Sequence, residues 1–332
     1  MVSKSVLQKA AKNNIIKDHQ VDPLYQFIND QESGTPDRIQ DEPLKFVRSF
    51  GDIFITLGIL LLVVAINLSS LSGYLYFIPV VVFVLLAEWL VGLRKLVLPG
   101  IALLLSILFF VSKAVPLAND NTATISFAIM SITSLVFYLR YKMPFSLLPL
   151  AIGLVAIPVV QIGIDVLNIP VVFVGLGLVV FAIAFWFDSQ DTKRVSHLSD
   201  NAFWLYLLAA PLFVHGIMVS LLTSEQIWIN SFGKEMLMIA FFAVFFLLSL
   251  LIDRRAILIS TQLYIIYAFT QLLQDKVNST QDVIIYILMA LAIFVIYFGT
   301  YWYKTRLFVF GFLTNSVISK YIPDLKMKDV SK

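Results

Sequence analysis

The chain of 332 residues is 59% hydrophobic and 14% charged, where a soluble domain averages about a quarter charged. A soluble fold cannot hide that much apolar surface, so lipid is the solvent. The net charge of +3 says little as a total, and the absence of cysteine excludes disulfides, thiolate catalysis and Cys-ligated metal.

Residues 1–48 carry seven Lys or Arg and no long apolar run, which argues against a cleaved signal and makes the first span the insertion signal. Val6, Leu7, Ala10 and Ala11 recur at helical spacing up to Asn13-Asn14, and Val21, Leu24, Tyr25 and Ile28 form a second stripe. Residues 1–30 therefore read as a small helical hairpin, too small to be stable alone and so expected to dock on something. Residues 31–49, with Gly34, Pro36 and Pro43, read as a linker.

From Phe50 to Lys304, apolar runs of about 17–22 residues follow one another, each long enough to cross a bilayer core of about 30 Å. They predict an all-α polytopic transmembrane bundle of about ten spans: 52–69, 74–93, 96–113, 122–140, 145–165, 169–187, 202–222, 235–252, 256–273 and 283–303. A barrel would instead alternate in segments of about ten residues. Of the 24 Lys and Arg, 21 fall in the termini and even-numbered loops, whereas Lys113, Lys234 and Lys276 occupy the opposite loops. Positive-inside sorting then predicts that both termini are cytoplasmic. Residues 305–332 read as an interfacial amphipathic helix, with Leu307, Phe310, Leu313, Val317 and Tyr321 on one face, followed by a basic tail of Lys326, Lys328 and Lys332. The basic loops and tail are expected to contact anionic head groups.

Ionisable side chains inside a membrane need a reason. Glu88 sits in the inner half of the second span, within reach of a local partner at Lys95 or of another helix. The fifth span holds Pro158, Gln161 and Gly163, with Asp165 at its outer end; the seventh holds Pro211, His215 and Gly216. Proline inside a helix frees a carbonyl and favours a kink, so both spans are expected to break there. Gln161, Asp165 and His215 form a candidate polar cluster in the outer half, suited to a small solute or a proton relay; the competing reading is a kinked packing site. Ser260, Tyr264, Tyr267 and Gln271 share one face of the ninth span, and the fourth is rich in Ser and Thr. The third, sixth and eighth spans are almost wholly aliphatic or Phe and are expected to face lipid. In the cytoplasmic loops, Asp188, Arg194 and the Asp253-Arg254-Arg255 run read as topology signal and head-group contacts.

No P-loop, His-Glu-x-x-His or Gly-x-Ser-x-Gly is present, and no catalytic residue, metal, cofactor or nucleic-acid partner is expected. Three segments carry a resemblance: Asp41 to Asp52, Phe203 to His215 and Leu251 to Ala256. As a set they resemble a group of proteobacterial polytopic inner-membrane proteins of unknown activity, and the N-terminal helical pair is similar to that of a broader class of bacterial membrane proteins. The resemblance covers most of the chain. It implies a bacterial inner membrane and brings no site residues. Two functions stand open: a permease-like transporter of a small solute, and a scaffold or regulatory subunit recruiting a protein partner through residues 1–48 and the C-terminus.

Overall fold

The computed structural model describes residues 4–13, 15–26, 47, 49–69, 71–115, 122–162, 169–192, 194, 196–223, 231–274, 280–316 and 321–323. All regular structure among them is helical. Two units are distinguished, one containing residues 1–44 and the other residues 45–325.

In the first unit, α1 (Lys4–Lys12) stops before the Asn pair, a 3-10 turn follows at Asp18–Gln20, and α2 covers residues 21–26. Leu7 and Ala11 of α1 bury against Val21, with Ile16 and Tyr25 packed around them. Leu7, Ala11, Val21 and Tyr25 belong to the two predicted stripes, whereas Val6 and Leu24 of the same stripes are exposed. Ile28 and residues 31–46 of the predicted linker lie outside the described residues.

The second unit comprises α3 (Phe50–Leu68), α4 (Phe77–Ala87), α5 (Val97–Ala114), α6 (Thr122–Tyr141), α7 (Leu147–Ile162), α8 (Ile169–Gln190), α9 (His197–Thr223), α10 (Ser231–Ile252), α11 (Ala256–Gln274) and α12 (Thr280–Phe310). Ser49 starts α3, its hydroxyl donating to the Asp52 carboxylate at 3.1 Å. Among the described residues nine helices are long and apolar enough to cross a bilayer; α11, the ninth predicted span, has a shorter apolar run at Ile257–Leu273.

The apolar interior is a series of adjoining cores in chain order. The first forms around α5, where Phe110 stacks on Phe83 at 5.6 Å between ring centroids. The second joins α7, α8 and α9, the third α9, α10 and α11, and a smaller one gathers Leu250, Leu258 and Trp302. The expectation for α5 is thereby corrected. Pro99, Leu103, Leu104, Ile107 and Phe110 are all buried, and α5 lies in the middle of the first core rather than on lipid. Lipid tails are as apolar as Leu, so an all-apolar helix is as much at home inside the bundle as outside, and shape decides. The buried Ser131 and Ser134 of α6 do turn inward, donating to the Phe127 and Met130 carbonyls. Between α8 and α9 the backbones come so close that a Cβ on Gly177 would lie 2.7 Å from the Phe213 nitrogen, and one on Gly216 2.7 Å from the Pro170 carbonyl oxygen.

Side-chain contacts bring the four basic inter-helix turns to one end of the bundle. Arg140 pairs with Glu88, Asn201 donates to Tyr138, Phe145 packs on Trp204, and Arg194 pairs with Asp253. At the other end of α3 and α5, Lys113 donates to Asn67 at 2.5 Å. Each basic turn contains one residue in the left-handed region: Lys95 (φ 55°), Lys142 (φ 53°), Arg194 (φ 53°) and Asp253 (φ 60°). Lys95, Lys142 and Asp253 lie one or two residues beyond a helix end, where a left-handed residue lets the chain reverse, and Arg194 lies inside the longer α8–α9 connection. The first of these turns carries a change of helix type. There the end of α4 widens into a π-turn at Glu88–Leu93, and the Leu96 amide returns to the Leu90 carbonyl.

Candidate functional site

Two polar constellations stand out in the second unit. The first is buried at the basic end. Asp188, on the last turn of α8, accepts from Arg254 at 2.5 Å, and the same guanidinium donates to the Ser199 hydroxyl and carbonyl of α9. Arg254 and Asp188 are each 2% exposed. Asp253 accepts from Arg194 at 3.0 Å and from the Trp302 indole at 2.6 Å. Arg194 also donates to the Ile252 and Asp253 carbonyls, and Arg306 to those of Leu250 and Leu251, so two arginines cap the C-terminus of α10. Arg306 further holds the Pro323 carbonyl at 2.8 Å.

A change of direction in α12 makes the last two contacts available. Tyr301 has non-helical angles (φ −105°, ψ 20°), and the helix beyond it presents Trp302 and Arg306 to the bundle. The predicted interfacial segment is thus continuous with α12 to Phe310 and ends in a 3-10 turn at Gly311–Asn315. Within that segment Arg306 is buried, as is Trp302 one turn before it, whereas Leu307, Phe308 and Phe312 are exposed. Val317 and the tail lysines lie outside the described residues.

These loop charges are therefore buried partners rather than the head-group contacts expected from the sequence. The available signal was the acid beside each cation: Asp188 before Arg194, and Asp253 before Arg254. Buried ions are tolerated only when paired and hydrogen-bonded, and here cations and acids arrive together.

The second constellation lies in the membrane-spanning part. His215, eight residues before the end of α9 (about 12 Å by helical rise), hydrogen-bonds through Nδ1 to the Tyr264 hydroxyl of α11. The Phe173 ring of α8 lies 6.2 Å away. His215 shares an exposed stripe of α9 with Leu207 and Pro211, while Ala210, Phe213, Val214 and Met218 of the same helix are buried. Pro211 has no N–H, so the Leu207 carbonyl on that stripe lacks its helical partner. Tyr267 and Gln271 continue the exposed polar face along α11.

Of the predicted trio of Gln161, Asp165 and His215, two residues fall within the described residues. The partner of His215 is Tyr264, Gln161 is exposed near the end of α7, and Asp165 and Gly163 lie outside the described residues. Neither proline divides its helix: α7 runs unbroken through Pro158 to Ile162, and α9 through Pro211 and Gly216 to Thr223. Proline is tolerated inside a spanning helix where neighbouring groups or water satisfy the carbonyl it frees, and Gly216 serves close packing on α8. Glu88 is met by Arg140 and by the Tyr141 hydroxyl at 3.1 Å, the interhelical alternative to Lys95.

A cleft of about 190 Å³ lies between α5 and α6, lined mostly by apolar groups with Ser112 and Ser126 at its wall. Ligand pockets usually run from about 300 Å³ upward. No group of three or more His, Asp or Glu suited to a metal occurs among the described residues.

The chain is a multi-pass, all-helical integral membrane protein. Compared with family models, with curated proteins and with solved structures, it matches none.

Proposed function

We propose that the chain is a permease-like carrier of a small polar solute, and that the α9–α11 face around His215 and Tyr264 is where the solute passes. One observation carries this reading: an ionisable side chain within a spanning helix, bonded to a tyrosine of a second helix, is exposed rather than enclosed. Such groups normally face a bundle interior or water, because lipid solvates them poorly. The unpartnered Leu207 carbonyl adds a backbone acceptor to the same stripe. An imidazole has two ring nitrogens that can donate or accept, which suits a site that couples solute to protons. In this reading the basic end faces the cytoplasm of a bacterium, in keeping with positive-inside sorting and with the family resemblance.

The native absence of cysteine makes the test direct. Single cysteines at Leu207, His215, Tyr267 and, as a lipid-facing control, Leu178 are challenged in intact membranes with a charged, membrane-impermeant thiol reagent. A carrier requires reaction at the first three and none at Leu178. Reaction only with a lipid-soluble maleimide at all four defeats the proposal.

The alternative is a scaffold that recruits a protein through its N-terminal hairpin. It is favoured by the separate small core of Leu7, Ala11 and Val21, too few residues to hold a unit on their own. Deleting residues 1–44 should then remove a co-purifying protein; unchanged partners sink this reading.

A further inference from the structure

The basic turns are of two kinds. In the α8–α9 and α10–α11 turns, Arg194 and Arg254 are turned inward and matched by Asp253 and Asp188. In the α4–α5 and α6–α7 turns, Arg94, Lys95, Arg140 and Lys142 are all exposed, and the acid among them is Glu88. Four cations therefore meet one carboxylate on a small surface. The two turns are neighbours: a Cβ on Gly100 would lie 3.0 Å from the Met143 sulfur, and one on Gly92 3.6 Å from the Tyr141 ring.

Directly along the same helices the surface becomes apolar. Leu93 is 75% exposed, Leu139 58% and Trp89 49%. Arg94 lies over the Trp89 ring, 4.6 Å from its centroid, and Arg140 is drawn to Glu88 with Tyr141 beside it. On α4 and its π-turn the exposed stripe runs from Leu85 through Trp89 and Leu93 to Arg94, so aliphatic, aromatic and basic side chains follow one another toward the basic end as they do at a membrane interface. Basic pockets between helices on this side of a membrane take acidic head groups.

We infer that the paired α4–α5 and α6–α7 turns hold an anionic phospholipid, its phosphate between Arg94, Lys95 and Arg140 and its acyl chains along Trp89, Leu93 and Leu139. Glu88 draws Arg140 toward the site and limits its charge. In the last two basic turns Arg194 and Arg254 are already held by Asp253 and Asp188 and Arg255 lies over the Trp302 ring, so these arginines are engaged within the protein.

Trp89 reports the site. Full-length protein in neutral detergent is titrated with acyl-brominated phosphatidylglycerol, with brominated phosphatidylcholine or with inorganic phosphate, and the quenching absent from Trp89→Phe is taken as the local signal. The expected result is quenching by phosphatidylglycerol at a much lower mole fraction than by phosphatidylcholine. Each of Arg94→Gln, Lys95→Gln and Arg140→Gln should weaken the preference about fivefold. Glu88→Gln removes the competing acid and should strengthen it, which keeps the test sound if a cation variant folds poorly. Equal quenching by the two lipids, an unchanged preference in the cation variants, or full competition by millimolar inorganic phosphate overturns the lipid assignment.

Discussion

Trp302 donates its indole N–H to the Asp253 carboxylate at 2.6 Å, which joins the segment after the α12 bend to the turn between α10 and α11. The same carboxylate accepts from Arg194, so one acid ties three parts of the chain. Asp253 holds this place with left-handed backbone angles (φ 60°), a conformation that Asp tolerates better than most residues.

Trp302→Phe keeps an aromatic ring but removes the donor and part of the buried indole volume, so a cavity adds to the lost hydrogen bond. A hydrogen bond to a charged group contributes about 1.5–3 kcal/mol, so the thermal midpoint in detergent should fall by several degrees. Tyr297→Phe, on the exposed side of α12, should leave it unchanged. Equal midpoints for Trp302→Phe and the native chain would sink the claim that this bond anchors α12.

The Asp188–Arg254 pair makes a sharper prediction. Both side chains are almost wholly enclosed, so Arg254→Met leaves an acid without its guanidinium and should cost about 3–5 kcal/mol. Asp188→Leu combined with Arg254→Met removes both charges and should recover most of that loss. A double-mutant cycle in detergent unfolding measures the coupling; a value near zero would mean that the pair is not the clamp described.

Different parts of this architecture were legible in the sequence to different degrees. Span positions depend on runs of apolar residues and were read closely, as the match of α6 and α8 to their predicted limits shows. The inward turn of Ser131 and Ser134 was legible too, because a hydroxyl in lipid must find an acceptor. The burial of α5 was not, since Leu and Phe carry no mark that separates lipid from protein interior. Nor was the pairing of His215 with Tyr264. Each residue was singled out, but on separate helices, and the choice of partner depends on helix rotation, which periodicity leaves open. The burial of the arginines was not legible either: the acids beside them stand in the sequence, but positive-inside sorting accounts for a basic loop without requiring that its charges pair across turns.

Lys142 closes the α6–α7 turn with φ 53°, a backbone state that costs a residue with a Cβ about 1–2 kcal/mol. Lys142→Gly should therefore raise stability by about 1 kcal/mol, whereas Lys142→Ala keeps the backbone cost and loses the contact of its ammonium with the Tyr138 ring at 5.7 Å. Thermal midpoints ordered glycine, native, alanine are expected. A glycine variant below the native chain would show that the cation contact outweighs the backbone.

The close approach of α8 and α9 can be tested with glycine positions that differ only in their surroundings. Gly175 has open space where a Cβ would go, whereas at Gly216 a Cβ would meet the Pro170 carbonyl oxygen at 2.7 Å and a Val174 methyl at 2.8 Å. Gly175→Ala should be neutral or stabilise by up to about 1 kcal/mol through helix propensity. Gly216→Ala must push two helices apart and should cost about 1–3 kcal/mol. His215 precedes Gly216 on the same turn, so that displacement should also shift it relative to Tyr264. A single cysteine at Leu207 should then react with a charged thiol reagent at a changed rate in the Gly216→Ala background and at the native rate in Gly175→Ala. Equal stability of the two alanine variants would mean that α8 and α9 are not packed backbone to backbone.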